Sequence, residues 1–300
     1  MALTTTPLFA AQVDQENIGS SNAPEQTQQQ AQQQKPYNIS GLYDWVGSTK
    51  VTRKPCHGNI KFATGEVEAS AIYYYDPCYE EGLSAAFGYG NTHMFWNHNP
   101  YFRNQKYWNT FLFNLGAFTK RADGWLWLAQ VQMNMDTTHW NFDNYTTYDF
   151  FIWGRYDYLC DVGVHFGFIA ETGMKIDHVL PIIGFDWKYN DQWKINAVFP
   201  MNISLVYQWT CNLQASIAGR YFDTRQRAGK NEPKPRSLFY YRAGGIEGAL
   251  TWSNEWISAN AHAGYVLGGN LRIGNRQWRE KKNIGFDGAP YAGGELKVSF

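Results

Sequence analysis

The chain has 300 residues with 26 Lys and Arg against 26 Asp and Glu, so its formal charge is zero and gives no electrostatic case for nucleic acid or an anionic surface. Charged residues make up 17% and aromatics another 17%, and no stretch approaches 18 uninterrupted apolar residues, which excludes a membrane-spanning helix. The mean hydropathy of -0.48 does not argue against a membrane, because the strands of a membrane barrel dilute each apolar residue with a polar neighbour.

In chain order, "MALTTTPLFAAQ" follows a short apolar stretch with small residues, as the back half of a secretory signal does. Residues 1–11 are therefore expected to be a signal-peptide remnant with cleavage near Ala10 or Ala11. Residues 12–38 form a Gln-rich segment with too little apolar bulk to offset its ordering entropy. The folded domain is expected over 39–300, with order setting in near Tyr37.

From there the period is two. "GLYDWVGSTKVT" (41–52) alternates weakly. "EVEASAIYYYD" sets Val67, Ala69, Ala71, Tyr73 and Tyr75 against Glu66, Glu68 and Ser70. "WNTFLFNLGAF" aligns Phe111, Phe113, Leu115 and Ala117, and "WLWLAQVQMNM" aligns Trp125, Trp127, Ala129, Val131 and Met133. The same alternation returns in "VGVHFGFIAE", "ISLVYQW" and "WISANAHAGYVL". It ends the chain in "GGELKVSF", where Leu296, Val298 and Phe300 oppose Glu295, Lys297 and Ser299. No run shows a helical repeat, so the chain reads as all-β.

Tight polar turns at 120–124, 159–163, 189–192, 209–212 and 252–255 alternate with longer connections at 96–107, 136–144, 223–237 and 269–288. Short turns at one end and long loops at the other are the pattern of an up-and-down antiparallel transmembrane β-barrel. Both termini at the short-turn end require an even count, which predicts about 14 strands, with 12 as the alternative. A soluble barrel has the same periodicity with its faces reversed. Three features favour lipid outside: strands of about 9–11 residues suffice to cross, many apolar faces need covering, and Trp and Tyr cluster at run ends. Tyr75, Trp96, Trp108, Trp125, Trp187, Trp209, Trp252 and Trp256 are the expected interfacial girdles.

The stretch "VLPIIGFDWKYNDQWKINAVFPMNISLVY" (179–207), with Pro181, Gly184, Trp193, Pro200 and Tyr207, resembles a family of uncharacterised bacterial outer-membrane barrels, a domain of unknown function. "WGRYDY", "ISANAHAG" and "GAPYAGGELKVSF" are similar to its chlamydial and chlamydia-like members. The resemblance implies a bacterial outer-membrane location and carries no activity with it. The terminal Leu296, Val298 and Phe300 also resemble the signal read by the barrel-insertion machinery, which with outer-membrane lipid is an expected partner.

The expected function is a passive pore for small solutes. Its lumen-facing candidates are Glu66, Glu68, Arg155, Asp157, His165, Glu171, Asp186, Lys188, Arg220, Glu247, Glu295 and Lys297, since a charge facing lipid costs roughly 2–4 kcal/mol for Arg or Lys at the midplane. The alternative is an adhesin or structural envelope barrel with little conductance. Its candidates are His93, Trp96, His98, His139 and Trp140, residue types that stack on and hydrogen-bond a glycan or a host protein. The histidine spacing matches no metal motif, and neither a cofactor nor a metal is expected. No nucleophile elbow, HExxH or phosphate loop is present, so an enzyme is not expected. Cys78, Cys160 and Cys211 fall in short turns and Cys56 in an opposite loop. The chlamydial resemblance implies disulfides among the three turn cysteines or with other envelope proteins.

Overall fold

The computed structural model describes residues 35–52, 58–99, 101, 105–137, 142, 144–200 and 202–300. The signal-like and Gln-rich segments up to residue 34, and His139, Trp140 and Cys56, lie outside them. Every regular element is a strand: β1 (Tyr37–Lys50), β2 (Asn59–Asp76), β3 (Glu81–Trp96), β4 (Tyr107–Thr119), β5 (Trp125–Asp136), β6 (Thr146–Leu159), β7 (Val162–Gly173), β8 (His178–Lys188), β9 (Trp193–Phe199), β10 (Asn202–Thr210), β11 (Leu213–Arg227), β12 (Leu238–Ser253), β13 (Ile257–Gly274), β14 (Lys282–Phe286) and β15 (Ala289–Ser299).

Strands β1 to β13 pair antiparallel in sequence order, β13 pairs with β15 and β15 pairs with β1. The wall is therefore a closed, up-and-down barrel of fourteen strands, as the parity of the turns requires. β14 stands outside the count. It pairs with the top of β13 from Gly269↔Phe286 to Ile273↔Lys282 and bridges to β1 at Val51↔Phe286. Closure is completed at the short-turn rim, where Tyr37 and Phe300 exchange backbone hydrogen bonds of 3.1 and 2.9 Å.

The apolar side of the alternation is the outer side: Val67, Ile183, Ile217, Leu267 and Leu296 are all more than half exposed. Tyr75, Trp187, Trp209, Trp252 and Trp256 are exposed near the short-turn rim, as an interfacial girdle requires. Trp96 and Trp108 do not belong to it. They are 7% and 1% exposed and face inward, because each has the parity of its strand's lumen face. The first strand begins at Tyr37 and not at Gly41. Asn38 and Ser40 turn to the lumen opposite Ser299 and Lys297, a polar face that blurred the alternation.

The interior is not uniformly wet. Towards the long-loop mouth, residues 222–228 and 238–241 are buried on both faces. This is the upper part of the β11–β12 hairpin, which stays paired to β13 as far as Leu238↔Gly274 and whose inner face packs into the mouth as a lid. Its lumen-side face packs across the barrel. The Phe62 ring of β2 lies 4.2 Å from Tyr241, Tyr241 stacks on Phe286 of β14 at 5.0 Å, and Trp108 of β4 meets Phe239 edge-on at 4.8 Å. The Trp108 indole N–H donates to the Arg227 carbonyl at 3.0 Å. Each such ring pair adds about 0.5–1.5 kcal/mol beyond area burial, so the lid is held as a core and not as a loop. The sequence reading of 223–237 and 269–288 as connections is corrected here: β11 runs to Arg227, β13 to Gly274, and β14 lies within the second stretch. A second apolar patch, including Phe118, Leu126, Leu128, Trp153, Ile182 and Val198, lines the wall from β4 to β9.

Candidate functional site

Below the lid the lumen holds a cavity of about 420 Å³. Its lining runs from turn residues Asp161 and Gln192 at the short-turn rim to Pro200, Asn202 and Tyr221 in the wall. Two ionic clusters face it, built alike from three residue types.

The first lies on β6 to β9. Alternation brings Arg155, His165 and Asp186 to the lumen face, and the register sets Gly163 between β6 and Asp186. A β-carbon on Gly163 would collide with the side chains of Arg155 and Asp186, so the glycine lets these groups meet across two strands. Asp186 accepts from Arg155 Nε at 3.0 Å and lies 2.5 Å from His165 Nε2. Trp153 Nε1 donates to His165 Nδ1 at 3.0 Å, which leaves the proton of a neutral ring on Nε2, facing Asp186. Lys194 stands 3.7 Å from Asp186, and Asp157 pairs with Arg155 at 2.5 Å near the rim.

The second cluster spans β11 to β1. Arg220 Nη2 meets Asp44 Oδ2 at 2.5 Å and its Nη1 donates to Glu247 Oε2 at 3.0 Å. His262 Nε2 is 2.6 Å from Asp44 Oδ1, and the Tyr291 hydroxyl donates to Glu247 at 2.7 Å. Gly293 sits between Asp44 and His262 in the register, as Gly163 does in the first cluster. In both, opposite charges are paired, which offsets the cost of holding them away from bulk water. The cavity is polar but presents no single-sign field.

A third group ties the lid down. Arg225 of β11 bonds Glu171, donates to the Ile176 carbonyl at 3.2 Å and reaches His178 Nδ1 at 2.9 Å. Arg227 adds the Arg236 and Arg276 carbonyls at 2.9 and 3.2 Å. Asp223 accepts from the Tyr240 hydroxyl at 2.6 Å and from Arg242 at 3.2 Å. Ligand atoms of Glu171, His178 and Asp223 lie within 4.8 Å of one another, but Arg225 already bonds Glu171 and His178.

Of the sequence-stated candidates, Arg155, Asp186, Lys188, Arg220, Glu247 and Glu295 line the cavity. His165 and Asp157 support them. Glu66 and Glu68 lie on β2 opposite its lipid face, Lys297 shares the Glu295 face of β15, and Glu171 sits higher, in the clasp. The described loop-binding candidates, His93, Trp96 and His98, are not brought together. Trp96 is buried among the lid contacts and so cannot present a ring to a surface ligand. His93 stacks on Tyr107 at 4.3 Å on the outer parity of β3, and only His98 is an exposed loop residue. Cys78, Cys160 and Cys211 are exposed and free, each at a different turn. Asp44, Lys194, His262 and Arg225 were not singled out from the sequence. The signal for the first and third was a glycine one register step from each.

No family model matches the chain. It is 25% identical over 203 residues to an uncharacterized protein of Chlamydia pneumoniae and 23% identical to one of Chlamydia trachomatis. The match covers 66% of this chain and 63% of each relative, so the chain matches less than two thirds of their length. Among solved structures, an outer membrane channel from Pseudomonas putida F1 superposes with a TM-score of 0.51 over 93% of this chain and all of that one, at 9% identity. That likeness is one of fold: the chain is a closed fourteen-strand barrel similar in fold to that channel, and its sequence relatives are uncharacterized chlamydial proteins.

Proposed function

We propose that this chain is an outer-membrane β-barrel that passes small solutes passively through its lumen. The observation that carries the reading is the cavity of about 420 Å³ inside the wall, open towards the short-turn rim and lined by two self-neutralised Asp–His–Arg clusters. Such a lining hydrates a polar solute without trapping either sign of ion. The lid makes the mouth the controlling constriction. Both ring nitrogens of His165 are taken by Trp153 and Asp186, and those of His262 face Asp44, Arg220 and Asn260. Neither histidine is placed to activate a nucleophile, and their pairing with Asp and Arg supports the reading of a neutralised lumen wall.

The second reading, a structural or adhesive envelope barrel, is favoured by one observation, the apolar packing that closes the mouth. Conductance of the purified protein in planar bilayers separates them. Discrete steps that scale with salt are expected. Silence at all voltages, with retained binding of a surface glycan or an envelope protein, selects the second reading.

A further inference from the structure

The wall is not equally tall all round. β9 has seven residues and β10 nine, and their mutual pairing stops at Asn202↔Val198. About 9–11 tilted residues are needed to cross the hydrocarbon layer. With Trp187, Trp193 and Trp209 marking the interface at one end of this hairpin, its tip at Pro200 and Asn202 ends inside the layer.

Above that tip, among the described residues, two strand edges face each other without a strand between them. β8 pairs with β9 only from Ile183↔Phe199 downward, so residues 178–182 have a partner on the β7 side alone. β11 pairs with β10 only from Ile203↔Gly219 downward, so residues 220–227 are paired to β12 alone. Pro181 lies in the first edge, and prolines in strands are confined to such places because they lack a ladder donor. The gap exists because β9 and β10 are short, while β8 and β11 run on beyond the tip of their hairpin. Its upper limit is the Arg225 bond to Glu171, and its sill is formed by Pro200 and Asn202.

The surroundings on the two sides differ. Outside, Val179, Ile183, Phe199 and Ile203 are each more than half exposed and apolar. Inside, the charged cavity reaches Pro200, Asn202 and Tyr221, the residues of the sill and of the β11 edge. Strand edges at membrane depth are tolerated only where protein or a water-filled cavity satisfies their backbone. Here residues 222–227 are buried by the lid, and the lumen cavity meets the β11 edge at Arg220 and Tyr221, where the edge offers backbone partners to a polar group passing between the strands.

We propose that this gap is a side portal through which a small amphiphile, an apolar chain with one uncharged polar head, passes between the membrane leaflet on the long-loop side and the lumen. The apolar outer flanks accept the chain, and the strand edges and paired charges accept the head. An uncharged head is specified because the ionic groups within are already mutually neutralised. The proposal rests on the lumen being a solute path, and its test reads chemical labelling and not conductance.

Proteoliposomes of a chain with its four cysteines replaced by serine are loaded with a decyl amphiphile carrying a hydroxylated head and a diazirine beside it. Irradiation is expected to label the lumen-lining residues Ser204, Val206 and Ala218. Attaching a bulky maleimide at Tyr221→Cys after folding should cut that labelling at least tenfold. The same reagent at Ile217→Cys, on the lipid face of the same strand, should leave it unchanged. Labelling confined to lipid-facing residues, or lumen labelling indifferent to the block at 221, overturns the portal. A conducting barrel with an unlabelled lumen loses the portal and keeps the pore; a labelled but silent barrel does the reverse.

Discussion

His262 Nε2 and Asp44 Oδ1 lie 2.6 Å apart although a whole strand, β15, runs between theirs. They meet because residue 293, between them in the register, has no side chain, and a β-carbon there would strike both. Gly293→Val is therefore expected to break the Asp44–His262–Arg220 cluster. Separating one member of a buried ionic group costs about 3 kcal/mol. The check is the temperature at which the folded, fast-migrating band unfolds in a gel series: it should fall for Gly293→Val. Gly248→Ala is the control and should leave it in place, since the nearest atom to its β-carbon would be the Ser216 carbonyl at 3.9 Å.

The lid clasp gives a second expectation. Removing Arg225 leaves Glu171 without its guanidinium and frees the β11 edge from the Ile176 carbonyl. Arg225→Ala should undock the lid and raise the mean conductance or the open fraction in planar bilayers. Arg225→Met with Glu171→Gln removes both charges and should restore folding yield while keeping the clasp broken. Identical gating in wild type and both variants would show that the lid does not control the mouth.

The wall of this barrel was legible in the sequence because lipid on one side and water on the other impose a period of two on every strand that separates them. Val67 against Glu66 and Glu68 is enough to orient β2. The lid was not legible for the same reason. Residues 222–227 are buried on both faces, so Phe222, Asp223, Thr224, Arg225 and Gln226 show no alternation and read as a loop. Trp96 and Trp108 sit near strand ends like girdle residues, but both have the lumen parity, and the partners that reach them, Tyr101 and Phe239, hold them inward. Ionic clusters built across strands are likewise invisible until the register is known; a carboxylate at 44 and a histidine at 262 have no sequence proximity to declare them.

The cavity's balance of charge makes an expectation about selectivity. Arg220 is the guanidinium that pairs with both Asp44 and Glu247. Arg220→Gln leaves those carboxylates facing the solute path. A change of about 1 kcal/mol in the relative barriers, roughly fivefold in the cation-to-anion permeability ratio, is expected for one charge at this separation in a partly aqueous setting. The reversal potential in a salt gradient measures it. A ratio shifted towards anions would contradict a lumen path past Arg220.

Cys78, Cys160 and Cys211 occupy the β2–β3, β6–β7 and β10–β11 turns, four strands apart each time. Strands spaced about 4.8 Å put neighbouring cysteines roughly 19 Å apart along the wall, whereas a disulfide needs Cα atoms within about 7 Å. The pairing among the three that the chlamydial resemblance implied is therefore excluded by the barrel, which leaves the disulfides to other envelope proteins that the resemblance also implied. Non-reducing electrophoresis of native envelopes should show reductant-sensitive species above the monomer that vanish when the three are changed to serine. Monomer migration indifferent to reductant would remove the envelope partners from the proposal.

Phe300 is half exposed on the outer face, its ring tilted against that of Tyr37 at 5.8 Å, while its backbone closes the barrel against that same residue. These two contributions are separable. Phe300→Ala keeps both backbone hydrogen bonds and loses only a ring that faces lipid, so refolding into detergent should be little changed. If the ring is also read by the insertion machinery, the same substitution should lower the amount of folded barrel recovered from outer membranes by several-fold, with the unfolded chain accumulating before insertion. Truncation of Phe300 removes ring and closure together and should reduce both measurements. Equal recovery of Phe300→Ala and wild type from outer membranes would confine the residue to closing the wall.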